Sequence, residues 1–178
     1  WYWYHFLMKK ILLTFFFLIF SSTVNGQEKI VYLDTNFLLS QSEVGKYVNL
    51  KLKNINDKNN EEFKKIEMNI KSSEEKLIKQ KNILKKEDYE NKISDLKNEF
   101  KSYQEQRKKK NAELTQLRNN AGTEILKYIN EILTKYSKNK SISLIIEKKN
   151  VVIGKTDLDV TSDILSLLNK KVKKIEFN

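Results

Sequence analysis

Cysteine and proline are absent from this chain, histidine occurs once and glycine four times in 178 residues. Without cysteine there is no disulfide framework, no thiolate nucleophile and no cysteine metal site. The lone His5 precedes a leader-like segment, so the remainder has no Ser-His or Cys-His nucleophile system and no ordinary zinc site. Beyond residue 26 the glycines are Gly45, Gly122 and Gly154. They match neither G-x-x-x-x-G-K-[ST] nor G-x-G-x-x-G, so no loop cradles a phosphate and nothing points to ATP-driven work. Asp157 and Asp159 flank Leu158 ahead of an expected helix. Paired carboxylates suit acid–base chemistry, but acids before a helix serve more often as caps and dipole partners. No enzyme, cofactor or metal is expected.

What the chain does have is charge. Lys and Arg number 34 against 23 Asp and Glu, a formal net charge of +11. A basic surface attracts nucleic acid, anionic lipid or acidic protein segments, and its sign alone does not choose among them. Apolar residues make up 39% and charged residues 32%, a mix that suits solvated helices better than a large buried core.

The first residues read as an address. Met8-Lys9-Lys10 leads into the ten-residue apolar stretch Ile11–Phe20 and the small-residue end Ser21–Gly26. This is the layout of a signal peptide, with cleavage expected after Gly26. Ten apolar residues are too few to span ~30 Å of hydrocarbon as an anchor. Residues 1–7 read as an upstream extension of the frame.

From Gly45 to Tyr136 apolar residues recur three and four apart, the spacing of a coiled-coil seam. Ile66, Ile70, Leu77 and Leu84 lead to a polar turn near 85–88, and Tyr89, Ile93, Leu96, Phe100 and Tyr103 lead away. The stretch therefore predicts one antiparallel helical hairpin, an arm of about 60 Å. A turn between Lys86 and Glu87 sets residue i opposite 173 − i. Leu77 then faces Leu96, Ile70 faces Tyr103, Leu52 faces Ala121 and Val48 faces Ile125. In the middle Ile66 faces Arg107 and Phe63 faces Lys110, so a loosely packed, bending zone is expected there, because unpaired charge resists burial.

Around the arm the chain changes character. Lys29–Asp34 reads as a strand, with Asp34 or Thr35 capping a short turn before a helix that begins within Ser40–Gly45. Ser137–Lys140 reads as a polar break. Ile142–Glu147 and Val151–Ile153 read as a β-hairpin about Lys148-Lys149-Asn150. Thr161 is a candidate N-cap for a last helix. The basic tail Lys170–Asn178, with Val172, Ile175 and Phe177 weakly alternating, is left between an edge strand and disorder. The fold class is α+β, with residues 27–44 and 137–178 forming a small β-body and 45–136 the arm.

The remaining signal is the set of basic clusters on the arm: Lys64, Lys65, Lys71, Lys76 and Lys79 outbound, Arg107, Lys108, Lys109 and Lys110 on the return. One reading is a solvated helix face. The other is an attraction site for acidic protein segments or anionic lipid headgroups.

These pieces together resemble the Skp/OmpH family of periplasmic chaperones. The resemblance rests on the signal peptide, Lys29–Asn36, the Ser-x-x-Gly-Lys of Ser42 to Lys46, the charged hairpin, Ile142–Ile153 and Leu158–Leu165. It implies a homotrimer whose short strands form a central β-body from which three arms enclose a cavity. It also implies an ATP-independent holdase that keeps unfolded outer-membrane proteins from aggregating in the periplasm, with lipopolysaccharide or anionic lipid as further ligands. Because one subunit has too few strands to bury a core, Ile30, Tyr32, Ile142, Leu144, Ile146 and Val152 are the expected trimer-body residues. The alternative is a structural or tethering coiled coil of the envelope without chaperone activity. A nucleic-acid partner is not expected, since secretion removes the protein from most nucleic acid. The tail beyond Leu168 departs from the family pattern in its length and basicity.

Overall fold

The structure, a computed structural model, describes residues 3–4 and 28–177. The expected signal segment therefore lies outside the described residues apart from Trp3 and Tyr4. In chain order come strand β1 (Lys29–Leu33), helix α1 (Thr35–Gln41), helix α2 (Glu43–Gln80) and helix α3 (Lys86–Lys140). Strand β2 (Ile142–Glu147), two short 3-10 turns (Lys148–Asn150 and Thr156–Leu158) and helix α4 (Thr161–Lys171) complete it.

The two strands pair with each other in parallel, Ile30 beside Leu144, Val31 beside Ile145 and Tyr32 beside Ile146. This corrects the expected hairpin: β2 does not fold back onto Val151–Ile153, which form no strand. Parallel strands need a long crossover, and here the whole arm is that crossover. After β2 the chain turns through Lys148–Asn150 and is pinned under β1. The Tyr32 hydroxyl donates to the Lys155 carbonyl (3.0 Å), and a Cβ on Gly154 would come within 2.8 Å of the Tyr32 ring.

The segment after β1 is a helix, more than the short turn expected. The Asp34 carboxylate accepts from the Phe37 amide at 2.8 Å and starts α1, the ordinary N-cap arrangement. Ser42, itself fully buried, then breaks the helix in an extended conformation and accepts from the Gly45 amide at 3.1 Å, opening α2. Gly45 is needed because α1 ends on top of it: a Cβ there would lie 2.1 Å from the Leu39 carbonyl oxygen. The Ser-x-x-Gly-Lys segment is thus a joint, one residue capping the arm and another admitting the body.

Ser137–Lys140 does not break α3. Polar residues alone do not end a helix, and Lys138 and Lys140 suit its C-terminal dipole; the turn comes at Ser141, in the left-handed conformation at φ 50°. Thr161 is not an N-cap either. Its hydroxyl is taken by the Asp34 amide (2.9 Å), while Asp159 accepts from the Thr161 amide at 3.0 Å and pairs with Lys148 at 2.7 Å. Asp159 is therefore a capping and pairing group.

The core lies where the arm meets the body. Val31 and Leu33 of β1, Leu38 of α1, Val44, Val48 and Leu52 of α2, Ala121, Ile125 and Ile129 of α3, and Ile164 and Leu168 of α4 form one buried cluster. The tail is neither edge strand nor disordered: it has no regular structure, yet Val172, Ile175 and Phe177 are buried in the same cluster. Burying a side chain of this size gains about 1.5–3 kcal/mol, which is why an irregular segment stays down.

Helix α4 is also held by Tyr136, whose hydroxyl donates to Asp163 at 2.6 Å. Burial, reinforced by Asp163, pushes the phenol up from 10.0 to about 12. A raised folded-state value means that the contribution is whole below pH 10 and lost as pH climbs through about 12. Tyr136→Phe cannot ionise, so its deficit in melting temperature is expected to shrink over that window; a gap that stays constant contradicts the assignment.

Candidate functional site

Two surfaces carry the residues singled out from the sequence. The first is the arm. Helices of 38 and 55 residues extend about 57 and 82 Å at 1.5 Å per residue, and the helix ends leave the tip at residues 81–85, slightly earlier than expected. Leu77 and Leu96 line one groove, and Val48, Leu52 and Ile125 line another at the root, as the facing rule anticipates.

The middle differs. Phe63 meets Tyr103 edge-on, ring centroids 5.9 Å apart, about two turns along α3 from Lys110. Both rings are buried. Arg107 stands 6.0 Å from each ring, donates to the Tyr103 hydroxyl at 2.7 Å and pairs with Glu67 at 3.2 Å. Tyr103 also donates to Glu67. That carboxylate and the ring's desolvation hold the phenol above its ordinary value, Arg107 pulling the other way. The expected wet, loose contact at Phe63–Ile66 is therefore a packed and charge-satisfied one. Both flanks of this contact are thinly covered: α2 buries nothing between Leu52 and Phe63 or between Phe63 and Leu77, and α3 nothing before Tyr103 or between Tyr103 and Ala121. The i,i+4 spacing of Tyr103 and Arg107 was the available signal for this cluster.

Lys64, Lys65, Lys71, Lys76, Lys79, Arg107, Lys108, Lys109 and Lys110 are all exposed. Because Phe63 stands beside Arg107, Lys64 and Lys65 leave α2 at the height where the basic run Arg107–Lys110 leaves α3. Lys76 rims the groove of Leu77 and Leu96, a cavity of about 300 Å³ near the tip. Lys110 is drawn to Glu113 at 3.4 Å, a surface pair of little energetic weight. This side of the molecule can offer mobile positive charge but no enclosed pocket.

The second surface is the sheet. Successive strand residues point to opposite faces, so the register sorts the apolar residues. Val31, Leu33 and Ile145 turn to the core, with Ile142 packed against it at the start of β2. Ile30, Tyr32, Leu144 and Ile146 share the other face, where Ile30 is 44% and Leu144 50% exposed. Val152 is fully exposed, and so very nearly is Ile153. Five of the six expected body residues thus gather on or beside one partly open apolar face, and Ile142 sits partly buried at its margin. Sequence reasoning missed Ile153 and the exposed Phe37 of α1; the anchored Gly154 following Ile153 was the clue for the first.

Among the described residues no group of His, Cys, Asp or Glu could hold a metal ion, and no helix is long and apolar enough to cross a membrane.

Comparison with known proteins agrees with this geometry. A crystal structure of a candidate outer membrane chaperone (OmpH-like) from Caulobacter crescentus superposes with a TM-score of 0.77 at 16% identity, covering 86% of this chain and 90% of that one. At that identity the likeness establishes the fold: long helices paired as a hairpin arm beside a small two-stranded sheet. No curated protein matches. The family described as "Outer membrane protein (OmpH-like)" matches residues 29–168, both strands and the entire arm included. The chain belongs to the OmpH-like outer membrane protein family.

Proposed function

We propose that the protein is an ATP-independent holdase of the periplasm, acting as a homotrimer that shields unfolded outer-membrane β-barrel proteins from aggregation on their way to the outer membrane. The observation that carries this reading is the partly open apolar face of the two-stranded sheet. Ile30, Tyr32, Leu144 and Ile146 lie side by side there, with Ile30 and Leu144 open to water and Tyr32 covered in part by Gly154 and Lys155, and a contiguous exposed apolar patch marks a contact surface. Copies of the same face meeting about a three-fold axis would bury it and project the arms together. Family membership supports the chaperone class.

The mechanism needs no catalytic group. A holdase binds the unfolded client and not the folded one, and mass action does the rest. The exposed lysines of the arm, Lys64 to Lys79 and the run Arg107–Lys110, would speed capture of acidic segments and of anionic lipid or lipopolysaccharide at the membrane surface, an effect that weakens with salt. The expected signal peptide, cleaved after Gly26, supplies the periplasmic address.

The test uses residues 27–178. Native mass is expected at three copies, and the protein is expected to suppress aggregation of a urea-diluted outer-membrane barrel without ATP. Changing Lys71, Lys76 and Lys79 to Glu is expected to weaken client binding about tenfold at low salt and to flatten its salt dependence. A monomer without suppression refutes the reading, and unaltered affinity in the triple variant refutes the electrostatic part.

A further inference from the structure

The family match stops at residue 168, yet the chain continues and packs. Lys173 pairs with Glu43 at 3.2 Å, Lys174 lies 5.7 Å from the Tyr47 ring, and Lys51 lies 4.6 Å from the Phe177 ring. The partners on α2 are thus Glu43, Tyr47 and Lys51, one helix stripe at four-residue spacing. Going from Lys173 to Phe177 as extended chain covers about 13 Å, and going from Glu43 to Lys51 as helix covers about 12 Å. The tail therefore lies lengthwise along the opening turns of α2, matched to it in rise. At its start the contacts reach the other arm helix: Lys171 pairs with Glu131 and lies 5.7 Å from the Tyr128 ring of α3. Asn169 accepts from the Glu43 amide at 2.8 Å, capping α2 from outside.

We propose that residues 172–177 are a strap that stiffens the root of the arm and can open while the body stays folded. Closed, it ties the opening turns of α2 to α4 just beyond the Ser42–Gly45 joint, where α2 leaves the body, while Lys171 at the end of α4 holds α3. Its attachment is suited to opening. Six residues are ordered against three apolar side chains, and the ion pair of Lys173 with Glu43 is exposed, so the gain and the entropy cost are close to balance. Segments held this way detach below the energy of global unfolding. Raised ionic strength weakens the lysine contacts and favours the open form.

The absence of cysteine makes the test direct. In the full chain, Ile83→Cys at the tip and Ser162→Cys on α4 take spin labels, and labelled subunits are diluted with unlabelled ones so that only distances within one chain are read. Deleting residues 172–178, or in a second variant Phe177→Ala with Lys173→Gln, is expected to broaden the tip-to-body distance distribution. The same variants should speed amide exchange over residues 47–52 by about tenfold or more, while β2 amides keep their rates. Unchanged widths overturn the proposal, as does faster exchange spread evenly over β2 and the arm root. If the deleted form does not fold, the full-length double variant decides. The readouts do not involve a client, so they stand apart from the holdase reading.

Discussion

Replacing Gly45 by Ala is expected to be the most destabilising single-atom change in the arm. The new Cβ would sit 2.1 Å from the Leu39 carbonyl oxygen and 2.8 Å from its carbon. Both are backbone atoms, so no rotamer change relieves the clash; α1 and α2 must move apart. That movement opens the core at Leu38 and Val44, both fully buried, and disturbs the Ser42 cap. Overpacking in cores ordinarily costs about 1–3 kcal/mol, and a rigid backbone target puts this site at the top of that range or above it. A loss of about 3 kcal/mol corresponds to a fall in melting temperature of roughly 6–12 °C for a chain of this size. Gly122 is the control. A Cβ there meets nothing within 4 Å, so Gly122→Ala is expected to stabilise the helix by about 0.5–1 kcal/mol. Thermal melts of the two variants should move in opposite directions; equal shifts would show that the joint is not where the strain lies.

The double change Ile30→Glu and Leu144→Glu is expected to dissociate the proposed trimer. These residues are register partners on the partly open face of the sheet. Two carboxylates set side by side repel each other, and burying them in a subunit contact would cost far more than the apolar pair gains. A penalty of about 3 kcal/mol per contact weakens association more than a hundredfold. Native mass should fall to one copy at micromolar concentration and suppression of barrel aggregation should vanish. Because neither residue belongs to the buried cluster, the far-ultraviolet helix signal should persist. A trimeric variant with full suppression would mean that this face is not the assembly surface.

The arm was legible because its signal is local. Residues three and four apart meet on the same helix whatever the rest of the chain does, so the pairs Leu77 with Leu96 and Val48 with Ile125 could be read in advance. Its middle was misjudged because a one-to-one facing rule ignores the reach of long side chains along the seam. Phe63 packs on Tyr103 and not at Lys110, and the expected charge clash becomes an aromatic contact closed by Arg107 and Glu67. The basic residues of the arm were legible as exposed charge, since lysine seldom lies fully buried.

Sequence alone determined the long proline-free hairpin, its basic character, the absence of cysteine, and the two short motifs at the ends of the arm. Those properties depend on neighbours within a few residues. Only the tertiary structure decided that Ile142–Glu147 pairs with a strand more than a hundred residues earlier, which of the alternating residues Ile30 to Leu33 turn outward, and that the tail is bound. Strand pairing and docking are set by non-local partners competing for the same apolar surface. Within the sequence, Val151–Ile153 is the expected mate for β2, because only a short polar turn separates them. Closing the arm brings β1 alongside β2, with Val31 and Leu33 joining Ile145 on the core side, and that burial settles the choice.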